Sequence, residues 1–288
     1  MQRELWPILY STVRAVAQDF SQKYVQIPGW MLVVTMLWAS LHERPVCWAC
    51  DPDNWTGTRL RPPRLPSAST MSRRIDGVAV GLLWRAVEQR LRAVSGHVPG
   101  LLAFLDGKAL PVGGCTKDPD ARYGRGAGVM AKGYKLHTVW SDGPLPEAWE
   151  ITPLNTDEVK VAERLLPQLS GGGYLLADGN YDVNRLFDRA WCQGYQLVTP
   201  PPKAAPGRRR QSPQRLHSIE MMGRTFGVDL YKKRIGIEEA FGNATAFGGG
   251  LGPLPAWVRG LERVRTWVWA KLLINAARII RNKHLRHP

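Results

Sequence analysis

The feature that most limits what this 288-residue chain can fold into is a change of periodicity near residue 100. Before it, apolar residues recur at three- and four-residue spacing in Leu5 to Phe20, Trp30 to Leu41 and Val78 to Val94, the pattern of helices with a buried stripe. After it they come as short runs: Leu101 to Asp106 with an extension over Lys108 to Val112, then Gly133 to Trp140, Glu147 to Ile151, Tyr174 to Asp178 and Tyr195 to Thr199. Short apolar or alternating runs bounded by Gly, Pro and Asp predict strands. His97 to Gly100, which contains Pro and Gly, marks the boundary. A helical region over 1–97 and an α/β region over 98–288 are therefore expected.

In the second region the later strands alternate with helices. Asn155 with Glu158 predicts a capping-box start for a helix to about Leu169, closed by Gly171-Gly172-Gly173, and Asp182 predicts the cap of another that reaches Cys192 and ends at Gly194. Three strands in succession, then helix, strand, helix, strand and helix, give a mixed sheet flanked by helices. This is the layout of the ribonuclease-H-like fold.

The charge balance narrows the partners. Lys and Arg number 39 against 24 Asp and Glu, a formal net charge of +15, which points to a polyanion. The longest apolar run, Trp30 to Leu41, spans about 12 residues where a bilayer needs roughly 20. The start of the sequence shows no charged segment leading into an apolar stretch, so a cytoplasmic, nucleoid-associated location is expected, and nucleic acid is favoured over a membrane surface. The positive charge is concentrated: Lys203 to Arg234 holds nine basic residues against two acids, and Arg259 to Arg286 eight against one. The first cluster includes Arg208, Arg209 and Arg210 in a Pro-rich loop over 200–215, which the prolines exclude from regular pairing. Ser67 to Ile75 reads as a short capped helix presenting hydroxyls with Arg73 and Arg74; a recognition helix and a solvated connector are equally good accounts of it. Cys47-Trp48-Ala49-Cys50 has the spacing of half a zinc site, but no second Cys or His pair follows, and free thiols are the better account.

Two carboxylates stand where chemistry can use them. Asp106 closes Leu101-Leu102-Ala103-Phe104-Leu105 and Asp178 closes Tyr174-Leu175-Leu176-Ala177, each the first polar group after a buried run. Both are followed by Gly, so a plain turn is the competing account. If the two strands are neighbours, the acids can share a hard cation such as magnesium, which prefers oxygen ligands. A third acid lies on a predicted helical stripe of Tyr231, Arg234, Glu238 and Phe241, with Lys232 and Lys233 between the first two. An ordinary Arg-Glu pair at four-residue spacing is the competing account here.

These residues resemble the DDE transposases of bacterial insertion sequences. Tyr231, Arg234 and Glu238 match one branch's signature of Tyr, two residues, Arg, three residues, Glu, with Thr245 standing where that signature has Lys. Leu176 to Asp182 is similar to the strand of the second acid, Phe104 to Lys108 to that of the first, and Lys132 to His137 to the strand that follows it. The resemblance implies a catalytic trio of Asp106, Asp178 and Glu238 holding two Mg2+ or Mn2+ ions, and Tyr231 and Arg234 touching the DNA end. It also implies double-stranded DNA as partner and a homodimer in the DNA complex. The activity expected is cleavage at element ends followed by strand transfer. The alternatives are a DNA-binding protein that has lost catalysis, a ribonuclease-H-like nuclease that cuts without joining, and a zinc protein built on Cys47 and Cys50.

Overall fold

The computed structural model describes residues 2–20, 25–114, 116–126, 128–200, 211–245, 247 and 250–286. Two compact units are present, one of Met1–Gly96 with Asn243–Pro288 and the other of His97–Gly242. In chain order the elements are α1 (Gln2–Ala17), α2 (Gly29–Leu41), α3 (Val46–Ala49), α4 (Ala68–Arg74), α5 (Val78–Ser95), β1 (Leu102–Pro111), β2 (Arg122–Gly126), β3 (Val129–Trp140), β4 (Ala148–Pro153), α6 (Glu158–Leu165), β5 (Gly173–Ala177), α7 (Asn184–Cys192), β6 (Tyr195–Val198), α8 (Pro213–Met222), α9 (Thr225–Lys232), α10 (Ile235–Thr245) and α11 (Leu261–Arg286).

The helical unit is built around α2 and α11. Helix α2 is buried along almost its whole length, and α1 and α5 each turn one apolar stripe to it. Trp6, Trp38 and Trp55 pack together, with Trp38 stacked on Trp55 at 4.8 Å between ring centres. Residues 243–288, expected within the α/β region, cluster with the N-terminal helices. The reason lies in α11, which buries Val264, Trp267, Val268, Leu272, Leu273, Ile274, Ala277 and Ile280. A helix apolar on so many sides needs neighbours around it, and α1, α2 and α5 supply them. Several of its polar groups bond within the unit: Thr266 donates to Asp76, Trp269 to Glu88, and the buried Lys271 to the Ser40 carbonyl at 2.8 Å. In α4 the Ser67 hydroxyl accepts the Thr70 amide as expected of a cap, and Arg73 is exposed. Cys47 and Cys50 carry free thiols.

The α/β unit holds a six-stranded sheet in the order β2-β3-β1-β5-β6, with β4 also on β3. Strand β1 runs antiparallel to β3 and parallel to β5, and β5 runs parallel to β6. One face, with Ala103, Leu105, Val139, Leu175, Ala177 and Leu197, packs on Val161 and Leu165 of α6 and Leu186 and Phe187 of α7. On the other face α10 comes close enough that a Cβ at Gly236 would stand 3.0 Å from the Phe104 ring. With β2 set aside, the order β4-β3-β1-β5-β6 is that of the ribonuclease-H-like fold. Among the described residues no helix is long and apolar enough to cross a membrane.

Several local expectations are corrected. Strand β2 was not expected, because Arg122-Tyr123-Gly124-Arg125-Gly126 has two glycines and no β-branched residue. Helix α6 is capped by Asp157, whose carboxylate accepts the Val159 and Lys160 amides, not by Asn155. Asp182 does not cap α7; it accepts two bonds from the Arg215 guanidinium at 2.7 and 2.6 Å, a stronger charge-assisted arrangement. Tyr231 and Glu238 do not lie on one continuous helix, since α9 ends at Lys232 and α10 starts at Ile235.

Candidate active site

The parallel pairing of β1 with β5 matches Leu105 to Ala177, so Asp106 and Asp178 are the next positions on neighbouring strands. Both therefore stand side by side, Asp106 midway along β1 and Asp178 directly after β5. Asp106 Oδ1 accepts the Gly107 amide at 2.7 Å, and Oδ2 accepts from Arg234 Nη1 at 3.2 Å. Burial pushes the Asp106 carboxyl above its ordinary range; the Gly107 amide and Arg234 pull it back, while the charges of Asp178 and Glu158 push it up again. Asp178 accepts both the backbone amide and the side-chain amide of Asn180, which fixes the turn after β5.

Arg234 is the hub of the other side. Its guanidinium also lies 3.8 Å from Glu238 Oε1, and it hydrogen-bonds the Tyr231 phenol, whose pKa burial raises. The tight turn between α9 and α10 keeps these three side chains together despite the break in the helix: Arg234 N donates to Tyr231 O, and Ile237 N to Arg234 O. The Glu238 side chain is 67% exposed and meets Asp106 only through Arg234. Among the described residues no three His, Cys, Asp or Glu side chains are grouped so as to hold a metal ion. Lys232 and Lys233 are exposed at the same turn, Lys232 paired with Asp229. Arg208, Arg209 and Arg210 lie outside the described residues.

Glu158, at the start of α6, acts on Asp106 through its charge. The fully buried Tyr181 phenol is pushed well above its ordinary pKa, first by burial and then by the charges of Glu158, Asp106 and Asp178. Glu158 is held in an ion pair with Lys135 of β3. The Lys135 stem crosses over Gly107, where any Cβ would stand 2.8 Å from its Cδ. His137, paired with Gly107 across β1 and β3, donates or accepts at Thr152; burial, then Lys135 and Arg164, push its pKa down to about 3, so it is neutral. Sequence reasoning took Glu158 for a cap and passed over Lys135. The available signal was the polar pair Lys135 and His137, alternating along a strand whose neighbours are apolar.

The donor set is chemically apt for a hard cation. Asp106 and Asp178 are oxygen donors on neighbouring strands, and the Asp178 charge opposes ionisation of Asp106, a repulsion that a divalent ion relieves.

Residues 99–274, well over half of the chain, match the family model described as the transposase DDE domain. The chain belongs to that family. In this DDE transposase the matched stretch starts three residues before β1 and ends inside α11, so it takes in Asp106, Asp178 and Glu238. No curated protein matches the chain. Among solved structures it is similar to a cryo-EM structure of the piggyBac transposase synaptic complex with hairpin DNA, at 11% identity and a TM-score of 0.40, over 98% of this DDE transposase and 74% of that chain.

Proposed function

We propose that this chain cuts double-stranded DNA at the ends of a mobile element and joins the freed 3′-hydroxyl to target DNA, with Asp106, Asp178 and Glu238 as its catalytic acids. The observation that carries the reading is the juxtaposition of Asp106 and Asp178 on paired parallel strands within a transposase DDE domain. Asp106 and Asp178 would hold Mg2+ or Mn2+, and Glu238 would complete the set from α10. When bound, a pair of such ions activates the attacking oxygen and stabilises the leaving one. Arg234 carries two roles in this reading. Without DNA it pairs with Asp106 and offsets part of the cost of ionising it there; with DNA its guanidinium and the Tyr231 phenol face the phosphate at the element end, alongside Lys232 and Lys233. Two copies of the chain bring two ends together.

The test is strand cleavage of a labelled duplex taken from the DNA flanking the gene, in Mg2+. Asp106→Asn, Asp178→Asn and Glu238→Gln should each lower cleavage by about a hundredfold or more while leaving duplex affinity within about twofold. Chelation with EDTA should do the same to the parent. Glu158→Gln should still cut; loss of cutting there, with Glu238→Gln active, would reassign the third acid to Glu158.

A further inference from the structure

Strands β2 and β3 form a hairpin whose outer part carries an unusual surface. In its register Tyr123 is opposite Lys132 and Arg125 is opposite Met130, so these four side chains share one face. Tyr123 is 60% and Met130 65% exposed, and Arg125 is exposed beside them. On the opposite face Gly124, Gly126, Ala131 and Gly133 are small, and the two β2 glycines are pressed against the body of the unit, while Arg122 and Val129 at the ends are exposed. A Cβ at Gly124 would stand 2.5 Å from the Leu154 carbonyl, and one at Gly126 2.7 Å from the Ala109 Cβ. The hairpin is thus anchored on one side and presents an aromatic ring, a thioether and cations on the other. Nearby charges are predominantly basic: Arg122 and Lys117 are exposed, Lys132 is tethered to the Thr116 carbonyl, and Asp118 is buried and bonded to Tyr134, leaving Asp120 as the exposed acid.

Position links this surface to the site. Asp106 is opposite Thr138, and Thr138, Lys132 and Met130 are even-numbered positions of one regular strand, so they project from the same sheet face. Six to eight residues at about 3.3 Å each separate them, roughly 20–26 Å along β3. At about 3.4 Å per nucleotide along a strand, that is about six to eight nucleotides.

We propose that the Tyr123-Arg125-Met130-Lys132 face is a DNA-contacting surface that grips the duplex about six to eight nucleotides from the phosphodiester at Asp106. Arg125 and Lys132 neutralise phosphates; Tyr123 and Met130 pack on sugar and groove wall. Charge complementarity in a chain of net charge +15 selects this occupant over an apolar protein face. The inference rests on the function proposed above and adds to it where the DNA runs.

The test places a p-benzoylphenylalanine at position 123 in the full chain and irradiates it with the 5′-labelled flanking duplex. Cross-linking should map about six to eight nucleotides from the cleavage position. Arg125→Ala should weaken duplex binding by about three- to tenfold and make the dependence of log affinity on log salt shallower by about one, with unchanged thermal melting. Cross-links only to a second copy of the chain, or an unchanged affinity and salt slope, overturn the proposal while a parent that still binds and cuts leaves the proposed function standing. A parent chain that binds no duplex overturns both.

Discussion

Asp106 carries opposing demands in a single side chain. It sits midway along β1 and largely buried, where ionisation is costly, and its position beside Asp178 adds like-charge repulsion; Arg234 offsets part of both. Its pKa in the fold is raised, so between the ordinary aspartate range and that raised value the native state holds a proton that the unfolded chain has lost. Stability therefore falls as pH rises through this window, and the full cost is present above it. Asp106→Asn keeps the acceptor for the Gly107 amide and removes the charge. Its melting temperature at pH 7 should exceed the parent's by about 2–4 °C, of order 1 kcal/mol, and the gap should close below about pH 4. Thermal melts across pH would show it; a lower melting temperature would mean that the Arg234 pair outweighs burial. Asp106 and Asp178 were legible in the sequence as the first polar groups after apolar runs, but Asp106 stands midway along β1, which runs on to Pro111. Glu158 was read as part of a cap, because the charge it exerts on Asp106 depends on how α6 is carried over the sheet by the β4-α6 connection.

At the scale of elements, β3 does most to assemble the site. It pairs with β1, β2 and β4, carries Lys135 and His137, and leaves no room for a side chain at Gly133. A Cβ there would stand 2.4 Å from the Leu110 carbonyl and 2.9 Å from the Pro111 Cα, both backbone atoms that cannot yield cheaply. Gly133→Ala should therefore cost about 1–3 kcal/mol, read as a lower denaturation midpoint in urea, and should widen the β1-β3 pairing at its far end from Asp106. Most strands and helices here were readable from periodicity to within a few residues. The break between α9 and α10 was not: Tyr231, Arg234, Glu238 and Phe241 have helical spacing, and a tight turn satisfies the same spacing of contacts, so period alone does not separate the two.

For the whole molecule, the +15 charge and the one-signed clusters make DNA affinity an electrolyte-sensitive quantity. Neutralising Arg208, Arg209 and Arg210 together to Gln should make the slope of log affinity against log salt shallower by about one to three, with cleavage at saturating DNA retained; filter binding between about 50 and 200 mM salt measures it. What the sequence by itself determined is the part fixed by local periodicity and composition. That part comprises helices before residue 97, short strands after it, an acid after each of two apolar runs, and a basic protein whose longest apolar run is too short to span a bilayer. Only the tertiary structure decided which elements share a core and which distant charges meet. Helix α11 joins the N-terminal helices because its buried surface goes around it, and Glu158 pairs with Lys135 and acts on Asp106 through its charge, while Glu238 is paired with Arg234. Those outcomes depend on packing and strand register between segments far apart in the chain, and neither has a local periodicity to announce it.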